Sequence, residues 1–122
     1  LEFDRRLRAR SADTTSVIAH PGVAVTNIIS NGMGTGIKGR IVGALLPLVA
    51  QSDDRGSWPL LYAATSSEVR GGGYYGPDGI AEIKGMPVEV KPKPQALDPA
   101  SGKRLWEVSE ALTGVRYDAL NT

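Results

Sequence analysis

The first nineteen residues constrain the fold most. LEFDRRLRAR, residues 1–10, places Phe3 and Leu7 four apart with charges on the other positions, the spacing of a helix with one apolar face. Ser11 to Asp13 follow as a short turn, and Thr14 to Ala19 (TTSVIA) read as a short buried strand rich in β-branched residues. A helix, a tight turn and a buried strand make the second half of a βαβ unit, so the expected class is α/β. No capping residue precedes the helix and no parallel neighbour for the strand stands before it. The expectation is therefore the C-terminal portion of a longer protein, with a sheet that is incomplete on its own.

At 122 residues the chain has room for one domain, spanning 1–122. Its 41% hydrophobic and 22% charged residues match a soluble globular protein rather than a disordered chain or a coiled coil. There is no Cys, which excludes disulfides, thiolate zinc sites and thiol catalysis; with His20 as the single histidine, no metal site is expected. Fourteen basic against thirteen acidic residues leave a net charge of +1, too little for nucleic acid or an anionic membrane surface. The apolar run Ile41 to Ala50 contains Gly43 and Pro47 and is too short for a membrane span. No signal peptide opens the chain, and a cytoplasmic location is expected.

Further along, Pro21-Gly22 ends the first strand, Val23 to Ile29 is extended or irregular, and Asn31 to Gly39 is a glycine-rich loop. Arg40 to Gln51 predicts a helix that is apolar almost all round, which must be covered on several sides or line an apolar pocket. Ser52 is the expected N-cap of a helix running to about Ser66, with Asp53 and Asp54 in its first turn and Trp58, Leu61, Tyr62 and Thr65 at helical spacing. After Gly71-Gly72-Gly73 come a strand at Tyr74-Tyr75 and a turn at 76–79. Residues 80–94 read as loop, because three prolines and the Lys-Pro repeats favour extended backbone. Asp98 caps a last helix over 98–115, with Pro99 at its first position, an apolar stripe of Leu105, Val108 and Leu112 beside Trp106, and Gly114 at its C-cap.

Two segments resemble ligand sites. Gly34 to Gly39 matches G-x-G-x-x-G, with Asp53 and Asp54 about twenty residues downstream, as in a dinucleotide fingerprint. That interval has to hold a helix and a second strand, and here it holds an apolar helix and a helix cap, so a glycine-rich loop is the plainer reading. His20-Pro21-Gly22-Val23-Ala24-Val25-Thr26 follows a strand directly, the place where open α/β sheets bind ligands. The Pro-Gly break is expected to turn backbone amides outward, and Thr26 adds a hydroxyl; the alternative is an ordinary strand-ending turn. His20 reads as a packed, hydrogen-bonded side chain, since no nucleophile pattern accompanies it. Arg5, Arg6, Arg8 and Arg10 read as a solvated helix face.

The order of these elements, with AHPGVAVTNI (19–28), QSDDRGSWPLLYAATSSEVRGGGYYGPDG (51–79) and DPASGKRLWEVSEALTGV (98–115), resembles the C-terminal third of short-chain dehydrogenases/reductases, in particular the retinol-dehydrogenase-like bacterial branch. LEFDRRLRA is similar to the tail of the helix that carries that family's Tyr-x-x-x-Lys. The resemblance covers essentially the whole chain. It implies the C-terminal portion of a Rossmann-type doubly wound parallel sheet and an NAD- or NADP-dependent hydride transfer between nicotinamide and an alcohol or carbonyl. It implies that Pro21, Gly22, Val23, Ala24 and Thr26 hold the nicotinamide end of the cofactor. It also implies that 27–51 is a mobile lid over the substrate, with Ile28, Ile41 and Leu45 on its apolar wall, which suits a small hydrophobic substrate.

None of Tyr62, Tyr74, Tyr75 and Tyr117 has a Lys four residues later. The family's catalytic Ser, Tyr and Lys and its phosphate-binding glycines are thus expected upstream, in the N-terminal portion of the same enzyme, and this chain alone is expected to be inactive. A homo-oligomer would also cover apolar faces left open here. The rival readings are a non-catalytic interaction module that docks a partner through the apolar helix 41–49, and a small nucleotide-binding domain that uses Gly34–Gly39.

Overall fold

The computed structural model describes residues 1–23 and 50–121. The expected glycine-rich loop, residues 40–49 of the expected apolar helix, and Ala24, Thr26, Ile28, Ile41 and Leu45 lie outside the described residues. What is described is mixed α/β, in two compact units. One comprises Leu1–Ile18, Glu68–Tyr74 and Lys91–Thr122; the other comprises Ala19–Ser67 and Tyr75–Val90.

In the first unit, helix α1 (Glu2–Ala9) carries Glu2 and Asp4 in its first turn and Arg6 and Arg8 in its last, charges that oppose the helix dipole. Glu2 accepts from Arg5 at 2.6 Å and from Arg6 at 2.9 Å, and Asp4 pairs with Arg8, so three of the four N-terminal arginines are bridged within the helix. Leu7 and Asp4 are its buried side chains. Asp4 ion-pairs with Arg8 but makes no hydrogen bond of good geometry through that oxygen. A Cβ on Gly71 or Gly72 would meet its carboxylate at 2.6 or 2.8 Å, which explains why glycines stand there.

Strand β1 (Ile18–Ala19) is shorter than the 14–19 expected. Opposite its early part stands a turn, not a strand: Gly73 N donates to Arg70 O at 3.0 Å, and Gly72 N donates to Ser16 O at 2.8 Å. A turn offers no continuous ladder, so regular pairing begins only at Ile18. The strand is not buried either, with Ile18 39% exposed.

Helix α2 (Asp53–Thr65) starts where expected, with Ser52 Oγ accepting from Arg55 N at 3.3 Å. Pro59 sits inside it and is buried with Gly56, while Leu60 and Leu61 are exposed; Tyr62 packs on Tyr75 at 5.7 Å. The residues before the helix differ from expectation. Ala50 and Gln51 are not helical, and Gln51 forms a bridge in which its N–H donates to Val23 O at 2.9 Å.

Strand β2 (Tyr74–Pro77) runs two residues beyond the expected Tyr74-Tyr75, and residues 80–94 are not all loop. They hold a 3-10 turn at Ile80–Glu82 and a strand, β3 (Pro87–Glu89), antiparallel to β2 with Tyr75 opposite Glu89 and Pro77 opposite Pro87. Asp78 N donates to Met86 O at 2.9 Å, so the next pair inward, the two prolines, falls where an antiparallel ladder needs no donor. The order is β1-β2-β3. Along β1 the partners advance with the chain, Ile18 N to Gly73 O and His20 N to Tyr75 O, each at 3.0 Å, so β1 runs parallel to β2.

Helix α3 (Pro94–Leu97) precedes α4 (Pro99–Thr113). Asp98 caps α4, accepting from Ala100 N and Ser101 N, and Gly114 ends it in the left-handed conformation. The face α4 turns to α1 differs from the expected stripe. Phe3 stacks on Trp106 at 6.0 Å, Tyr117 lies 5.7 Å from Trp106, and the Arg6 guanidinium lies 4.4 Å above the indole. Gly102, Trp106, Glu110 and, from the expected stripe, Val108 are half-buried. Leu105 and Leu112 face outward, 68% and 82% exposed. The aromatic cluster and Arg6 outcompete the leucines for the single face that meets α1. Among the described residues, Leu7 and Tyr75 are the buried core hydrophobics, and no helix is long and apolar enough to cross a membrane.

Candidate functional site

The corner after β1 lies wholly in the second unit. His20 N makes the last ladder bond, Pro21 has no N–H to continue it, and Gly22 turns the chain with φ +68°. The backbone groups of this corner are taken up one by one. Gly22 N donates to His20 Nδ1 at 3.2 Å. Val23 N donates to Ile83 O at 2.8 Å, and Val23 O accepts from Gln51 N. Pro21 O accepts from Gln51 Nε2 at 2.6 Å.

His20 is fixed by both ring nitrogens. Because Nδ1 accepts from Gly22, the proton is assigned to Nε2, which donates to Glu82 Oε2 at 2.9 Å. The ring lies against Gly76, where a Cβ would overlap it. Glu82 and the preceding Ala81 both have positive φ, 56° and 53°, the strained backbone that brings this turn under the corner. A Cβ on Gly22 would fall inside contact distance of Ile83 O and 2.8 Å from Glu82 O and Pro77 Cγ. Gln51, only 6% exposed, closes the arrangement through Oε1, which accepts from Gly85 N at 3.4 Å.

Of the expected cofactor residues, the structure places Pro21, Gly22 and Val23 together at this corner; Ala24 and Thr26 are outside the described residues. The outward amides expected at the Pro-Gly break are not available at Gly22 and Val23, since protein acceptors occupy both. Gln51, Glu82 and Ile83 were not legible as parts of the site. Gln51 ends an apolar run and reads as the last turn of its helix, and nothing in the local pattern brings 82–83 beneath Gly22.

An open cavity of about 320 Å³ borders the same turn, lined by Asp78, Gly79, Ile80, Ile83, Lys84 and Gly85. Two carboxyl groups are held below the usual carboxylate range, and both serve α4. The Ser101 hydroxyl and N–H lower Asp98, and the Asn121 amide lowers Glu110. Among the described residues no group of three His, Cys, Asp or Glu could hold a metal ion.

No family model matches the chain, and no solved structure matches it at a significant level. Polyprenol dehydrogenase of Mus musculus is 34% identical to it over 116 residues, 93% of this chain. That relative is a dehydrogenase. The chain spans 31% of its length.

Proposed function

We propose that this chain is part of an NAD- or NADP-dependent oxidoreductase of the short-chain dehydrogenase/reductase type, with 21–26 as the nicotinamide-side corner and 27–51 as the substrate-facing lid. One observation carries the proposal: Pro21-Gly22 turns at the carboxyl end of β1, a strand parallel to its neighbour, where doubly wound sheets bind dinucleotides. The similarity to a dehydrogenase over nearly the whole chain supports it.

When bound, the cofactor would give hydride to a carbonyl or take it from an alcohol; the residues of this chain hold and orient it. The occupied amides of Gly22 and Val23 divide the work inside the corner. Pro21, Gly22 and Val23 act as a rigid shaped shoulder, and the hydrogen bonds to the carboxamide fall to Ala24 and the Thr26 hydroxyl. Proton transfer belongs to Ser, Tyr and Lys in the N-terminal portion of the same enzyme, and the 122 residues alone are inactive. The substrate is a hydrophobic alcohol or carbonyl, and the relative's name makes a polyprenol the first compound to try. A cytoplasmic location and a homo-oligomer complete the proposal.

Dinucleotide titration of the full-length protein tests it. Thr26→Ala should weaken NAD(P) binding about fivefold, the loss of one hydrogen bond, whereas Gly36→Val should leave binding in place. Unchanged binding in Thr26→Ala with binding abolished in Gly36→Val would move the site to Gly34–Gly39 and overturn the proposal.

A further inference from the structure

We infer that Gln51 is a positioning residue for the cofactor: its buried carboxamide sets the shape of the Pro21–Val23 corner and thereby the affinity for the nicotinamide half alone. The inference rests on the reading of 21–26 as the nicotinamide-side corner.

The geometry is specific to a carboxamide. Nε2 donates to Pro21 O at 2.6 Å, while Oε1 accepts from Gly85 N at 3.4 Å, so the side chain needs a donor at one end and an acceptor at the other. Its own N–H takes Val23 O. One residue thus grips the carbonyls on both sides of Gly22, the residue whose left-handed φ makes the turn. The remaining restraints are His20 on Gly22 N and Ile83 on Val23 N. Gln51 is 6% exposed, so no water replaces a lost bond at low cost. Packing alone does not explain a polar side chain at this depth, since an apolar residue of equal volume would fill the space without two bonds to satisfy.

The test compares NAD(P) with ADP-ribose, which lacks the nicotinamide ring, as ligands of the full-length protein. Gln51→Leu keeps the volume and removes both bonds. NAD(P) affinity should fall about tenfold while ADP-ribose affinity stays within twofold of wild type. Gln51→Glu supplies a second measurement should the leucine variant fail to fold. Its carboxylate faces Pro21 O with no donor at pH 8, and protonation restores one. NAD(P) affinity relative to wild type should therefore be weakened at pH 8 and recover as the pH falls through the carboxyl range. Expressing it as a ratio to wild type cancels the titration of His20, Glu82 and Asp78 around the same corner.

Equal losses for NAD(P) and ADP-ribose, no loss for either, or a pH-independent ratio in Gln51→Glu would each overturn the role of Gln51 and leave the corner reading standing. Absence of NAD(P) binding by the wild-type protein would overturn the corner reading and this inference together.

Discussion

Gly22 concentrates several constraints in one position. Its φ of +68° suits glycine, and the space a Cβ needs is taken by Ile83 O, Glu82 O and Pro77 Cγ. Gly22→Ala should destabilise the protein by at least about 2 kcal/mol, the left-handed penalty plus the displacement of backbone, read as a lower midpoint in chemical denaturation. An unchanged midpoint would mean that the 82–83 turn yields freely. Pro21-Gly22 was legible because a strand-breaking pair announces itself locally. Its partners were not: Gln51, Glu82 and Ile83 are distant in the chain, and each meets the corner through groups that carry no local pattern. His20 was legible as a hydrogen-bonded side chain, but not the tautomer that Gly22 and Glu82 impose on it.

Helix starts were the most legible elements, since caps are local chemistry. Ser52 and Asp98 both cap as their positions predict. The Asp98 carboxyl is held below its ordinary value by the Ser101 hydroxyl first, then by the Ser101 and Ala100 N–H groups. A carboxyl whose folded value lies below its unfolded value stabilises fully above the unfolded value. That contribution is lost as the pH falls towards the folded one. Asp98→Ala should therefore lower helicity and thermal stability at neutral pH, and the gap to wild type should close in strong acid. Circular dichroism across an acid titration checks this; a gap that persists below the carboxyl range would contradict it. Strands were less legible. β1 lost its early residues to a glycine turn opposite, and β3 hid behind prolines that an antiparallel ladder tolerates at its non-hydrogen-bonded pair. The side α4 presents to α1 differs from the leucine stripe, because periodicity ranks leucines as core while a stack of Phe3, Trp106 and Arg6 decides the contact.

Taken whole, the described residues keep much of their apolar surface outward. Leu105 and Leu112 on α4, Leu60 and Leu61 on α2, and Ile80, 92% exposed, at the 3-10 turn all face out. Exposed apolar area drives association. The 122 residues expressed alone should self-associate, and Leu105→Lys with Leu112→Lys should reduce this without disturbing the contact between α1 and α4, since neither side chain faces α1. Light scattering measures it; a wild-type fragment that stays monomeric at high concentration would contradict the expectation. The α/β class was legible from the opening helix, turn and strand. That apolar faces are left open was legible too; which side chains they carry was not, because burial depends on what packs against each face.

Hydrogen–deuterium exchange on the full-length protein, with and without NAD(P), bears most directly on the proposed role of the corner. Cofactor should slow exchange in peptides covering residues 20–26, with protection reaching those that contain Gln51 and Ile83. Unaltered exchange at 20–26, with protection at residues 34–39 or nowhere in the chain, would contradict it.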